Sequence, residues 1–409
     1  MRVLVVSQYF WPEEFRINQV CKSLVEKGVQ VDVLTGKPNY PEGKIFPGYK
    51  ILGFQLEKYF GINISRVPLV PRGKNSRLRL TFNYLSFIIS GLMFGPWLKR
   101  DKKYDVIFVY GLSPLMLAFP ALFLGWLKKV PVVIWVQDLW PESLSATGYV
   151  KNRYILWVIR ILVQFIYRHA DQLLVQSRAF VEPVRALASG REIVYYPNSV
   201  DGSFAIPAAV KTTCISGIEG RFIVMFAGNI GVAQNVRVIL EAATLLKEVN
   251  DIQFVLLGEG SCRQWLLQKV AERQLKNLHL PGRFPVETMP GFMQSASILL
   301  VTLADREIFA ATVPNKIQAY MATGIPIIAC LNGEGARIVS EAKAGLTVPA
   351  DNASALAKAI LLLYEMPESD RKKMGLNGGS YYQKHFNHEV LIDQLIEHLV
   401  HVSQDKRKF

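Results

Sequence analysis

The 409-residue chain is 50% hydrophobic and 20% charged, which excludes a disordered chain and leaves room for two or three domains with cores of their own. Its formal charge of +14 is uneven: residues 1–197 hold 26 Lys+Arg against 13 Asp+Glu, and residues 198–409 hold 21 against 20. A basic half beside a neutral one predicts an anionic partner for the first half, and the absence of zinc-finger spacing, RNP-like aromatics or a long basic helix favours an acidic membrane over nucleic acid.

Short apolar strands alternate with helical segments along the chain, the pattern of parallel α/β domains. In the first half, strands are predicted near residues 2–7, 29–34, 62–67, 105–110, 131–136, 171–175 and 192–196. Helices are predicted near 15–27, 76–98, 113–128, 151–168 and 178–188. Two uncharged runs, Leu80–Leu98 and Val106–Leu127, have the length of a bilayer span. The second breaks at Gly111-Leu112-Ser113-Pro114, so a strand followed by an apolar helix describes it better. The first is preceded by Arg72, Lys74, Arg77 and Arg79 and followed by Lys99, Arg100, Lys102 and Lys103. That layout suits an interfacial helix on an acidic membrane, the alternative being a soluble core helix with charged ends.

The turn-rich stretch Tyr195–Gly202 interrupts the alternation. A second series follows, with strands near 222–227, 252–257, 277–280, 297–301, 326–329 and 345–348 and helices between them. The expected architecture is therefore two doubly wound α/β domains in tandem, residues 1–198 and 199–387. The amphipathic segment at about 388–409 is expected to return to the first domain. Ligands of such sheets collect at the carboxyl ends of the strands, and two facing domains would enclose a cleft. Cys21, Cys214, Cys262 and Cys330 are scattered without a CxxC pair, as in a reducing cytosol, and the opening Met1–Ser7 lacks signal-peptide features.

The most informative stretch runs from Thr312 to Ala329. Pro314 suits the first turn of a helix, Gly324 and Pro326 a turn, and the apolar residues after them a buried strand. Asn315 and Lys316 then lie beside unpaired backbone N–H groups at a helix N-terminus, an arrangement suited to a diphosphate. The alternative is an ordinary strand–loop–helix unit with a solvated lysine.

With Val3–Phe10, Gln137-Asp138-Leu139-Trp140-Pro141-Glu142-Ser143, Pro197-Asn198-Ser199-Val200-Asp201, Phe226-Ala227-Gly228-Asn229-Ile230-Gly231, Leu257-Gly258-Glu259-Gly260, Pro314-Asn315-Lys316 and Gly324-Ile325-Pro326 in this order, the chain resembles the retaining glycosyltransferases of family 4, with the GT-B fold. The Gln137–Ser143 and Pro38–Pro41 stretches further resemble the branch of L-fucosamine (N-acetylfucosaminyl) transferases of bacterial O-antigen and capsule assembly. The resemblance implies a nucleotide diphosphate sugar, a UDP-sugar, held by the C-terminal domain. It also implies an acceptor saccharide on undecaprenyl diphosphate, held by the N-terminal domain at the cytoplasmic face of the inner membrane. It implies no required metal or other cofactor, and no Asp-x-Asp metal motif is present.

Carried onto this sequence, the donor site takes in Gly228, Asn229, Gly231, Gln234, Gly258, Arg283, Phe284, Asn315 and Lys316. Relatives place an arginine and a lysine where Asn229 and Gln234 stand here, which leaves Lys316 as the main cation and Arg283 as a weaker second. The paired glutamates of relatives are Ala311 and Ala319 in this chain. Glu334 and Glu341 are the candidates to replace the ribose contact, or else are solvated surface acids. Asp138, at the end of an apolar strand, is the candidate to orient or deprotonate an acceptor hydroxyl, the alternative being a cap on its own loop. Glu13, Arg16, Asn39 and Tyr40 complete the acceptor candidates. Two other readings share the architecture: a UDP-sugar epimerase, and a non-catalytic membrane scaffold.

Overall fold

The computed structural model describes residues 1–73, 76–146, 150–200, 213 and 215–405. Lys74, Cys214, Asp201, Gly202 and the end of the 388–409 segment lie outside the described residues. The chain forms two compact units, Met1–Tyr196 with Glu389–Phe409, and Pro197–His388.

The first unit runs β1 (Arg2–Val6), α1 (Arg16–Glu26), β2 (Gln30–Gly36), β3 (Gln55–Tyr59), β4 (Ile62–Val67), α2 (Arg77–Leu98), β5 (Val106–Gly111), α3 (Phe119–Lys128), β6 (Val132–Val136), α4 (Glu142–Ala146), α5 (Arg153–His169), β7 (Gln172–Val175), α6 (Val181–Ala188) and β8 (Glu192–Tyr195). Its eight strands lie in the order β3-β4-β2-β1-β5-β6-β7-β8. Neighbours are parallel except β3, which is antiparallel to β4. The strand β3 escapes the sequence reading because QLEKY has only two apolar residues, with Glu57 and Lys58 adjacent, and lies at an open edge with Leu56 63% exposed. What fixes it is Glu57, which accepts from Arg66 of β4. Arg66 is itself fully buried and also donates to the carbonyls of Gly36 and Trp11.

Alternate residues of the sheet serve opposite faces. Val3, Val5, Val31, Val33, Phe108, Val133 and Trp135 pack with Ile17, Val20 and Leu24 of α1. On the other face, Gly95 of α2 abuts Leu34 and Leu124, and Gly125 of α3 abuts Val132 and Ile107. The inward face of α2 is Asn83, Phe87, Gly91 and Gly95, spaced four apart. Gly91 permits contact with Pro120 of α3, which a Cβ would meet at 2.7 Å. Lys99, just past α2, is buried against the sheet, donating to the Val33 carbonyl at 3.3 Å and Ser65 Oγ at 2.8 Å. One side of α2 is thus part of the fold, although its length and apolarity would allow a span.

The second unit runs β9 (Phe222–Ala227), α7 (Val236–Leu245), β10 (Ile252–Leu257), α8 (Arg263–Glu272), β11 (Leu278–Gly282), α9 (Met289–Gln294), β12 (Ile298–Thr302), α10 (Glu307–Ala311), α11 (Asn315–Thr323), β13 (Ile327–Cys330), α12 (Glu334–Glu341), β14 (Gly345–Val348), α13 (Ala353–Glu365) and α14 (Glu368–His385). Its parallel sheet has the order β11-β10-β9-β12-β13-β14. Strand order reverses between β9 and β12, so the loops after these two strands part and leave room for a ligand. In the first unit the same reversal falls between β1 and β5.

After α14 the chain forms α15 (His388–Asp405). Leu391, Ile392, Leu395, Leu399 and Val402 join the core of the first unit with α1. Tyr196 Oη donates to the Leu391 carbonyl at 2.7 Å, and Lys27 pairs with Asp393 at 2.7 Å.

Candidate active site

In the second unit two glycine turns lie back to back at the ends of β9 and β10. Gly228 has φ +139, Gly258 +143 and Gly260 +157, backbone that only glycine adopts without strain. A Cβ on Gly258 would sit 1.9 Å from the Gly228 carbonyl oxygen, and one on Gly260 would sit 2.3 Å from that of Ile230. The turns are joined by Ile230 N donating to the Glu259 carbonyl at 2.8 Å, and Gly258 N donates to that of Gly282 at 2.8 Å.

Lys316 is brought to this cradle by α11. Its Nζ lies 3.6 Å from the centroid of the Phe226 ring. A Cβ on Gly228 would meet Lys316 Cε at 2.5 Å, so that glycine makes room for the lysine. One turn along the helix, Tyr320 Oη accepts from Ala227 N at 2.9 Å and donates to the Ala227 carbonyl at 3.2 Å, clamping α11 to the end of β9. Lys316 Nζ is buried and has no hydrogen-bond partner among the described residues. Burial without a counter-ion pushes its pKa down to about 7. The helix also has no side-chain N-cap. A desolvated cation beside an uncapped helix start and a glycine turn is an arrangement that can hold an anion such as a diphosphate.

The other donor candidates divide. Asn229 Nδ2 donates to Gln234 Oε1 at 3.2 Å, so the two neutral residues hold each other across the turn, with Gly231 beneath them. Asn315, at the start of α11, accepts from Asn198 Nδ2 at 3.3 Å. Arg283 is exposed, whereas Phe284 packs on Phe292 with ring centroids 4.5 Å apart. Glu334 is buried at the start of α12, where Gly335 beside it abuts Ile317 and Pro314 of the α11 region. Its carboxylate, however, is closed by the Arg337 guanidinium at 2.8 Å on both oxygens. Glu341 corrects the sequence expectation. It sits at the far end of α12, bound by Arg337 and by Tyr381 Oη, and α12 carries it away from the strand ends where the cradle lies.

In the first unit Asp138 follows β6 and meets the loop after β5. Ser113 Oγ donates to Asp138 Oδ2 at 2.8 Å, and Trp140 Nε1 donates to Ser113 Oγ at 2.9 Å. Burial raises the Asp138 pKa, opposed by its hydrogen bonds from Ser113. A half-buried carboxylate held by the Ser113 hydrogen bonds at a strand end can orient a hydroxyl or take its proton.

Two acceptor candidates have a different role from the one expected. Glu13 is buried, and its Oε1 accepts from the backbone N–H groups of Asn39 at 2.8 Å and Tyr40 at 2.7 Å, with Phe10 N on Oε2 at 3.4 Å. Asn39 is buried too, donating to the Lys37 carbonyl and accepting from Arg72 N and Asn83 Nδ2. Both hold the loop after β2 rather than face a substrate. Tyr40 is the open member, 37% exposed, packed on Phe15 and Tyr9 with Arg72 4.8 Å above its ring. Arg16, half-buried at the start of α1, has its pKa lowered by burial, with Tyr110 and Tyr196 nearby.

Sequence reasoning missed Phe226, Ser113, Tyr320 and Asn83. Phe226 and Ser113 had a signal, since Phe226 is next to last in a predicted strand before Gly228 and Ser113 lies in the Gly111–Pro114 turn that follows another; Tyr320 and Asn83 read as ordinary helix residues.

Residues 14–199 match the family described as "Glycosyl transferase 4-like domain", and residues 221–366 match "Glycosyl transferases group 1". Two glycosyltransferase families thus match successive stretches of the chain. The chain is 26% identical over 329 residues to a protein of Pseudomonas aeruginosa named as a probable glycosyltransferase, WbjE, a match covering 78% of this chain and 81% of that one. It is 22% identical over 338 residues to WcaI of Escherichia coli K12, which carries the name of a colanic acid biosynthesis glycosyl transferase, with 79% and 82% covered. Its fold is GT-B: the structure of Anabaena HepE in complex with UDP superposes with a TM-score of 0.71 at 15% identity, covering 98% of this chain and 100% of that one.

Proposed function

We propose that this protein is a glycosyltransferase that moves a sugar, N-acetyl-L-fucosamine in the narrowest reading, from a UDP-sugar to a saccharide on undecaprenyl diphosphate, in O-antigen or capsule assembly at the cytoplasmic face of the inner membrane. The observation that carries the donor half is Lys316, a buried ammonium with no hydrogen-bond partner among the described residues, beside a glycine cradle at the reversal of a parallel sheet. The UDP in the HepE structure and the polysaccharide role in the name of WcaI support the same reading. The +13 balance of residues 1–197 suits an anionic lipid and its diphosphate.

The second unit holds the donor, with Lys316 and the first turn of α11 on the diphosphate. As the sugar bond breaks, negative charge grows on the departing phosphate oxygen, and a preorganised cation there lowers the barrier. The first unit holds the acceptor, with Asp138 orienting its hydroxyl. Transfer proceeds with retention, the acceptor proton passing to the departing phosphate on the face the sugar leaves, so the protein works mainly by positioning.

Purified protein incubated with a panel of UDP-sugars, with and without polyprenyl diphosphate–GlcNAc, tests this reading. Transfer that needs both is the expected result. Donor turnover without acceptor would point to an epimerase, and binding without turnover to a scaffold. Lys316→Ala is expected to lower turnover by about 10²–10³-fold. Asp138→Asn is expected to lower it by about 10²-fold with donor affinity kept. Near wild-type turnover in both would refute the roles.

A further inference from the structure

The first unit carries a surface that the transfer chemistry leaves unexplained. On α2, Leu78, Phe82, Leu85, Ile89, Met93 and Trp97 are each 47–73% exposed, at spacings of three and four. They fall opposite the inward Asn83, Phe87, Gly91 and Gly95. On α5, Tyr154, Trp157, Val158, Ile161 and Phe165 are 43–70% exposed, opposite the buried Val163, Ile166 and Tyr167. Between them lies α3, joined to α2 at Gly91–Pro120 and to α5 by Phe119 on Phe165 with ring centroids 6.0 Å apart. At its end Trp126 is 75% exposed. Three neighbouring helices on one face of the sheet thus leave their outer sides apolar.

The charges on these helices share one sign. α2, α3 and α5 contain no Asp or Glu, while they carry Arg77, Arg79, Arg153, Arg160 and Arg168, all exposed, and Lys128, whose Nζ is held by the Arg100 and Lys102 carbonyls. Arg100 and Lys103 follow α2, along with Asp101, which pairs with Arg100 at 3.3 Å. We infer that the outer faces of α2, α3 and α5 together form a docking surface for an anionic bilayer. The apolar side chains enter the headgroup–acyl boundary and the arginines and lysines meet lipid phosphates. A second copy of this chain fits poorly, because a two-fold interface would set this cationic set against itself.

The geometry favours lying in the membrane over crossing it. Asn83, on the inward side of α2, accepts from Gln8 Nε2 at 2.7 Å and donates to the Val70 carbonyl at 2.6 Å, bonds that a span would break. It also donates to Asn39 Oδ1 at 3.3 Å, in the loop that presents Tyr40. The docked helix is therefore wired to the candidate acceptor loop, which would be held close to a lipid-borne substrate. This last step rests on the proposed function; the docking surface does not.

The test is co-sedimentation of the full chain with vesicles of phosphatidylcholine alone or with 30% phosphatidylglycerol. Binding is expected to the mixed vesicles and to weaken in 0.5 M salt. Trp157→Glu, an exposed change on α5, is expected to lower partitioning at least tenfold. Leu376→Glu, equally exposed on α14 of the second unit, is expected to leave it unchanged. Circular dichroism melting of both variants should match the wild type. Equal partitioning of wild type and Trp157→Glu would overturn the proposal, as would a stable dimer that Trp157→Glu dissolves. Transfer to a short-chain soluble acceptor should survive Trp157→Glu while transfer to vesicle-borne acceptor falls. Absence of transfer in every arm would count against the proposed chemistry, and the vesicle result would still decide the surface.

Discussion

Lys316 has the environment that an anion would complete under the proposed function. An ammonium held against the Phe226 ring and out of water is less stable than one in solvent, which is why its pKa falls from 10.5 to about 7. A bound diphosphate reverses that balance, since its negative charge favours the protonated form. At pH 6 the free protein already carries the proton. At pH 8 it mostly lacks it, and binding draws one from solution. Titration calorimetry of a bound UDP-sugar in buffers of different ionisation enthalpy should show uptake near zero at pH 6 and close to one proton at pH 8. Affinity should weaken as pH rises above 7, and Lys316→Met should abolish both effects. The diphosphate of a UDP-sugar has no titrating proton in this window, so equal uptake at the two pH values would exclude the assignment. The position of this lysine was legible in the sequence, because Pro314 and Gly324 bracket the helix that bears it. Its lack of a hydrogen-bond partner was not, because that depends on Phe226 arriving from a strand 90 residues earlier.

At the scale of elements, turns proved more readable than polar side chains. Strands such as β9 and β10 are unbroken apolar runs ending in glycine, so sequence alone locates both them and the loops that matter. By contrast Arg66, Lys37, Asn39 and Lys99 look like surface residues, yet each is buried. Their partners are carbonyls and side chains contributed by other elements, which no local pattern encodes. The same limit applies to Glu13: the sequence reading places it among the acceptor candidates, whereas its hold on the backbone N–H groups of the loop after β2 needed three dimensions. The glycine cradle gives a direct test. Gly258→Ala adds a Cβ that would lie 1.9 Å from a carbonyl oxygen, at φ +143. The ends of β9 and β10 cannot part without losing their hydrogen bonds, so a loss of about 2–3 kcal/mol is expected from overpacking and backbone strain. A thermal melt should show the loss, while Gly190→Ala, which meets nothing within 4 Å, should cost less despite φ +79. Equal effects of the two would mean that the close approach in the cradle is not what makes glycine necessary.

At the scale of the molecule, the chain begins one unit, builds the other, and returns to complete the first. α15 brings Leu391, Ile392, Leu395, Leu399 and Val402 to a core otherwise made by residues 1–196. Burial of each contributes roughly 1.5–3 kcal/mol, so their joint removal costs on the order of 10 kcal/mol. That matches the whole net stability of an ordinary domain, about 5–15 kcal/mol. The amphipathic pattern made the helix legible in sequence. Its return to the first domain was an expectation from its place after the second series of strands, whereas the residues of that core which its apolar face meets needed three dimensions. A chain ending at His388 keeps every strand of the second unit and the Ser199–His388 hydrogen bond of 2.8 Å. Limited proteolysis of it should therefore degrade residues 1–196 at protease levels the full chain withstands, while the second unit, Pro197–His388, persists. Supplying residues 389–409 as a separate peptide should restore part of the protection, because the binding face is intact and only the covalent link is missing. A truncated chain whose first unit resisted protease as well as the full one would show that α15 covers that core without being needed to hold it.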